Sequence, residues 1–178
     1  ELQVEAHKSK IRELFGVETN VFRNTELAYN NELAKWADDY GFKGILAEGW
    51  DPVLDWRSPN HVYRPVDTKN ISLLLKNYRL SDDLAFRFGD KAWGQWPLTA
   101  DTYSQWTNDS ADDSPLVNLF MDYETFGEHQ WADTGIFEFF ESFVGNWLSN
   151  PDNTFYTVSD AITTHQPVGD ISMPHTVT

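Results

Sequence analysis

The sequence predicts an α/β fold built on a parallel sheet, part of a barrel rather than a whole one. Three observations predict it. Five short apolar runs are separated by helical periods or long loops, with no internal repeat and no domain linker, so residues 1–178 form a single domain. Several runs end abruptly on ionisable residues, as strands do whose carboxyl ends form a ligand-binding rim. With 178 residues the chain is shorter than the ~250 of a complete (β/α) barrel, so it reads as a later part of such a domain with the amino-terminal strands missing.

Residues 1–15 carry Ile11, Leu14 and Phe15 at helical spacing, and Gly16 supplies the stop. Residues 20–26 form a first strand ending on Glu26. A helix follows with Tyr29, Leu33, Trp36, Ala37 and Tyr40 on one face, polar residues on the other, and Gly41 at its end. The second strand, residues 43–48, ends on Glu48. A strand–helix–strand order implies a right-handed parallel crossover, which puts Glu26 and Glu48 on one rim. Glu48 has two readings there: it binds a substrate hydroxyl, or it pairs with Arg57 or Arg79.

Residues 49–69 show no period and read as a long loop walling a groove, with Trp50 in it. The third strand, 71–77, leads through Arg79 to Ser81, a candidate N-cap for a helix that opens with Asp82 and Asp83. Arg79 sits at the same rim, either beside a carboxylate that needs a cation or in a pair with Asp82 or Asp83. After an aromatic loop at 89–97, Thr99 or Asp101 caps a helix through Trp106. Residues 116–122 are the fourth strand, apolar enough to be covered on both faces. A long helix runs from about 134 to 148, residues 150–153 break it, 154–158 form a fifth strand, and Ser159 caps a brief helix.

A net charge of −15 argues against nucleic acid, which needs a basic patch. No stretch approaches the ~20 apolar residues of a membrane span. The absence of cysteine removes disulfides and thiolate chemistry. Residues 1–5 lack the basic opening and apolar run of a signal peptide; the compartment stays open, with the cytoplasm favoured, and so does the oligomeric state. Eight Trp, seven Tyr and twelve Phe, many beside Asp, Asn, Gly or Pro, suit the apolar faces of sugar rings. At least two tryptophans are expected to line a cleft.

The chemistry concentrates after the fourth strand, where Asp122, Glu124, Glu128 and His129 crowd its exit and Gly127 lets the backbone turn. Two strands that each deliver a carboxylate to one rim can flank a bound group, as glycoside hydrolysis requires. A divalent ion is a second reading of this cluster, but the spacing matches no calcium loop or zinc signature, and no cofactor is expected.

The stretches Phe22-Arg23-Asn24-Thr25-Glu26-Leu27 and Met121-Asp122-Tyr123-Glu124-Thr125-Phe126-Gly127-Glu128-His129 resemble two regions of glycoside hydrolase family 57, in its α-amylase-like branch. That resemblance implies a distorted (β/α)7 barrel and a retaining mechanism on α-1,4-glucans, with maltooligosaccharides as substrates. Matched residue by residue, it puts the nucleophile on Glu26 and the general acid/base on Asp122, with Phe22, Glu48, Trp50, Arg79, Glu124 and His129 around the substrate. Asp122 must hold a proton for the first step, which the apolar run before it and the acids Glu124 and Glu128 would favour. A 4-α-glucanotransferase or a non-catalytic carbohydrate-binding relative are the other outcomes the resemblance leaves open. The family's His-Gln-Pro motif precedes the nucleophile, whereas His165-Gln166-Pro167 follows the acid here, so its role is not transferred.

Overall fold

A computed structural model describes residues 1–178. Its centre is a five-stranded sheet in the order β1 (Val21–Phe22), β2 (Gly44–Glu48), β4 (Ser72–Lys76), β3 (Val62–Pro65), β5 (Asp170–Ile171). Strands β1, β2 and β4 are parallel, as the first three apolar runs predict; β3 runs antiparallel to β4 and parallel to β5. The sheet is therefore mixed but dominated by parallel pairs.

The helices are α1 (Leu2–Phe15), α2 (Asn31–Tyr40), α3 (Asp51–Leu54), α4 (Tyr78–Asp82), α5 (Ala100–Ala111), α6 (Ile136–Ser149) and α7 (Val158–Thr164). Helix α2 forms where its apolar period lies. The Asn30 carboxamide accepts from the Leu33 amide at 2.8 Å, and Gly41 at φ 104° closes the helix in a left-handed turn that a side chain would resist. Its buried face, with Ala34 and Ala37, packs on Ile45, Leu73 and Leu75 of the sheet. Helix α1 ends at Gly16 as expected, yet Leu14 and Phe15 face solvent.

Two further cores flank this one. Val62, Leu74 and Ala161 cover the other sheet face under α7, and Leu80, Leu84, Tyr103, Ile136, Phe139 and Phe143 bind α4, α5 and α6 together. Residues 116–121 run between the two. Leu116 and Phe120 turn to the sheet, Val117, Leu119 and Met121 to the helical core.

That alternation corrects the fourth predicted strand. The segment is extended and covered on two faces, but it joins no ladder, because β2 and β3 already occupy both edges of β4. One backbone bond and two bonds through side chains hold it instead. The Asn77 amide donates to the Asn118 carbonyl at 2.9 Å, the Asn118 carboxamide donates to the Pro59 carbonyl at 3.0 Å, and the Phe120 amide donates to Ser81 Oγ at 3.1 Å. A buried backbone must find such partners wherever no strand offers them.

Further expectations change. Residues 154–157 pair with no strand, and Thr157, not Ser159, caps α7 in a capping box with Asp160. Ser81 lies buried inside a helix whose cap is Asn77. The loop predicted over 49–69 contains α3 and β3, and the tail contains β5.

Candidate active site

The parallel crossover places the exits of β1, β2 and β4 on one edge of the sheet, and a cleft of about 200 Å³ opens there. Glu26, Glu48, Asp122 and His129 all line it, together with Arg23, Lys76, Phe86, Phe120 and Thr178. Two segments far apart in the chain thus deliver Glu26 and Asp122 to the same opening.

Neither residue ends a strand. Glu26 sits in a 3-10 turn, Thr25–Leu27, just after β1. Glu26 and Leu27 both have φ 53°, a left-handed conformation costly for residues with a Cβ. The turn is fastened by the Leu27 amide to the Asn24 carbonyl at 3.2 Å and by the Thr178 hydroxyl donating to the Glu26 carbonyl at 2.9 Å. Asp122 precedes a second 3-10 turn, Tyr123–Thr125. Its side chain is about half exposed rather than enclosed by the apolar run, and Arg23 Nη2 donates to its Oδ1 at 3.2 Å.

Glu48 and Lys76 face each other in register at the ends of β2 and β4. Lys76 Nζ lies 3.7 Å from Glu48 Oε2 and 3.1 Å from Asp82 Oδ1. The cation beside Glu48 is therefore Lys76, not Arg57 or Arg79. Burial holds the Glu48 carboxyl above the usual carboxylate range; Lys76 pulls it down and Asp82 pushes it up.

The other candidates lie outside this cleft's lining. Phe22 packs edge-on to Trp36 with ring centroids 5.2 Å apart. Trp50 is partly exposed at the start of α3. Arg79 pairs with Asp51 at 3.2 Å, while Asp82 and Asp83 pair with Lys76 and Arg87. Glu124 is exposed, and its carbonyl accepts from the His129 amide at 2.8 Å, which turns His129 toward the opening. Asp122, Glu124, Glu128 and His129 form no group able to hold a metal ion.

No tryptophan lines the cleft; its aromatic walls are Phe86 and Phe120. A second cleft of about 280 Å³ between α5 and α6 is lined by Trp96, with Glu138 its only carboxylate, so it offers no carboxylate pair. Arg23 and Lys76 are the site residues that sequence reasoning missed. The rule that selects Glu48, a charged residue closing a parallel strand, selects Lys76 equally well.

The profile of a family described as glycosyl hydrolase family 57 matches residues 1–174. A protein of Methanocaldococcus jannaschii named "Putative alpha-amylase" is 45% identical over 168 residues, which are 94% of this chain and 35% of that protein. The chain thus spans about a third of that curated relative. The crystal structure of a 4-alpha-glucanotransferase from Thermococcus litoralis superposes with a TM-score of 0.73 at 20% identity, covering 97% of this chain and 27% of that one. This likeness is one of fold, and it agrees with an α/β segment of a (β/α)7 barrel. No helix is long and apolar enough to cross a membrane.

Proposed function

The chain belongs to glycosyl hydrolase family 57, and from that premise we propose that it is the part of a retaining glycoside hydrolase for α-1,4-glucans that carries both reacting carboxylates. The observation that supports this is the single cleft shared by Glu26 and Asp122. In the first half-reaction Glu26, ionised, attacks the anomeric carbon while Asp122 gives its proton to the departing glycosidic oxygen. In the second, Asp122 takes a proton from water, which attacks the same carbon and frees Glu26. Arg23 is paired with Asp122, a contact suited to the ionised form that acts in the second half. The first half needs that contact released as the proton arrives.

The test is Glu26→Gln and Asp122→Asn in the full-length chain. Each is expected to lower maltooligosaccharide cleavage by at least about a hundredfold while sugar binding persists. Undiminished cleavage in either would overturn the reading.

A further inference from the structure

The cleft contains a cation and a third carboxylate that the two-step mechanism does not use. Lys76 and Glu48 leave adjacent strands at the same level, and their side chains are only 15% and 20% exposed. At 3.7 Å their contact is an ion pair too long for a hydrogen bond. Glu48 Oε1 has no hydrogen-bond partner in the protein. A buried carboxylate oxygen so placed is costly until a donor reaches it.

An ammonium group has donors only, and a carboxylate acceptors only. Side by side they match a pair of neighbouring hydroxyl groups, one accepting and one donating, as any unsubstituted glucose unit presents. We infer that Lys76 and Glu48 form a hydroxyl-binding subsite at the floor of the cleft, with Lys76 donating to one sugar hydroxyl and Glu48 accepting from its neighbour. The inference rests on the glycosidase reading for the identity of the ligand, and on its own geometry for the subsite. Asp82 Oδ1, 3.1 Å from Nζ, forms an ion pair with the Lys76 ammonium without a hydrogen bond, so it offsets the ammonium charge while leaving its N–H donors free for the sugar.

The pair has a pH signature. The charged groups near Glu48 are Lys76 and Asp82, with Arg23, Glu26, Asp122 and His129 lining the same cleft. Lys76 is the main influence keeping Glu48 ionised against its burial, so removing it carries the carboxyl further upward. Sugar binding that needs ionised Glu48 is lost as pH falls, and in a Lys76→Met protein it is lost at a higher pH than in the parent.

The experiment is calorimetric titration of maltotriose into the full-length chain carrying Glu26→Gln, across pH 4 to 8, with and without Lys76→Met, Lys76→Arg, Glu48→Gln and the Met/Gln pair. Expected are about tenfold weaker binding for Lys76→Met, partial recovery with Lys76→Arg, and a double variant no weaker than Glu48→Gln alone. A merely structural lysine would give additive losses, equal at every pH, and that result overturns the inference. Should Lys76→Met not fold, Glu48→Gln, nearly isosteric, decides alone: the fall of binding toward low pH is reduced if the pair is the subsite and unchanged if it is not. Cleavage that survives Glu26→Gln and Asp122→Asn sinks the hydrolase reading instead, leaving these binding curves to stand on their own.

Discussion

Arg23 Nη2 donates to Asp122 Oδ1 at 3.2 Å, joining the turn after β1 to a loop ninety-nine residues further on. The contact is a tether between two halves of a cleft that no backbone ladder connects.

Arg23→Met is expected to cost stability no more than about 1 kcal/mol, because both partners are substantially exposed. If Asp122 is the proton donor proposed above, the effect on kcat/KM should be larger, roughly tenfold, since small displacements of such a group are expensive in rate, and Arg23→Lys should fall between. Melting curves and steady-state kinetics on the same samples separate the two. Unchanged kcat/KM would mean that the tether positions nothing.

Gly49 joins the exit of β2 to α3, and a Cβ there would lie 2.1 Å from the Lys76 carbonyl oxygen. Backbone, not a yielding side chain, stands in the way. Gly49→Ala should therefore destabilise by about 1–3 kcal/mol and weaken sugar binding by shifting Glu48 against Lys76. Gly94→Ala, with nothing within 4 Å, is the control, and thermal unfolding of the two should differ clearly.

Asn77 is buried, caps α4 through the Leu80 amide at 3.2 Å, and donates to Ser110 Oγ at 2.8 Å and Asn60 Oδ1 at 3.3 Å. Asn60 in turn accepts from the Asn118 amide at 3.4 Å. Asn77→Ala strands several of these groups together, at a cost of about 2–3 kcal/mol. At roughly 2–4 °C per kcal/mol for a chain of this size, the melting temperature should fall by about 4–12 °C. A drop under about 2 °C would show that the network contributes little.

Burial raises the carboxyls of Glu48 and Asp83, against the pull of Lys76 and Arg87. A carboxyl whose folded value exceeds its unfolded one favours the fold when neutral. That contribution is complete below the ordinary carboxylate value, near pH 4, and is lost as pH rises through the raised folded value. The parent should lose stability relative to Glu48→Gln as pH rises above the ordinary carboxylate value, near pH 4. Denaturant unfolding at several pH values measures this, and a difference that grew in the parent's favour with pH would reverse the sign.

Much of this was legible because local pattern and tertiary role agree. Helix α2 carries its cap, its apolar stripe and its terminal glycine in order, and β2 and β4 are apolar runs that close on Glu48 and Lys76. The short strands were not legible: Val62–Pro65 contains a proline, and Asp170–Ile171 is two residues long, too little for a period to show. Residues 116–121 have a strand's composition because they are covered twice, but edge availability is a property of the whole sheet and no local run records it. Arg79 and Lys76 both look like rim cations in the sequence. The register between β2 and β4 is what separates them, since it puts Lys76 beside Glu48 while Arg79 reaches Asp51.

Glu26 and Leu27 hold a backbone shape, φ 53° at both, that glycine adopts freely and other residues only at about 1–2 kcal/mol each. On the proposed mechanism, stability and chemistry therefore pull position 26 in opposite directions. A campaign that evolves this protein for heat resistance, scoring survival without turnover, would be drawn to Glu26→Gly and return sturdier folds that lack the proposed nucleophile. Any such screen has to read sugar cleavage at every round.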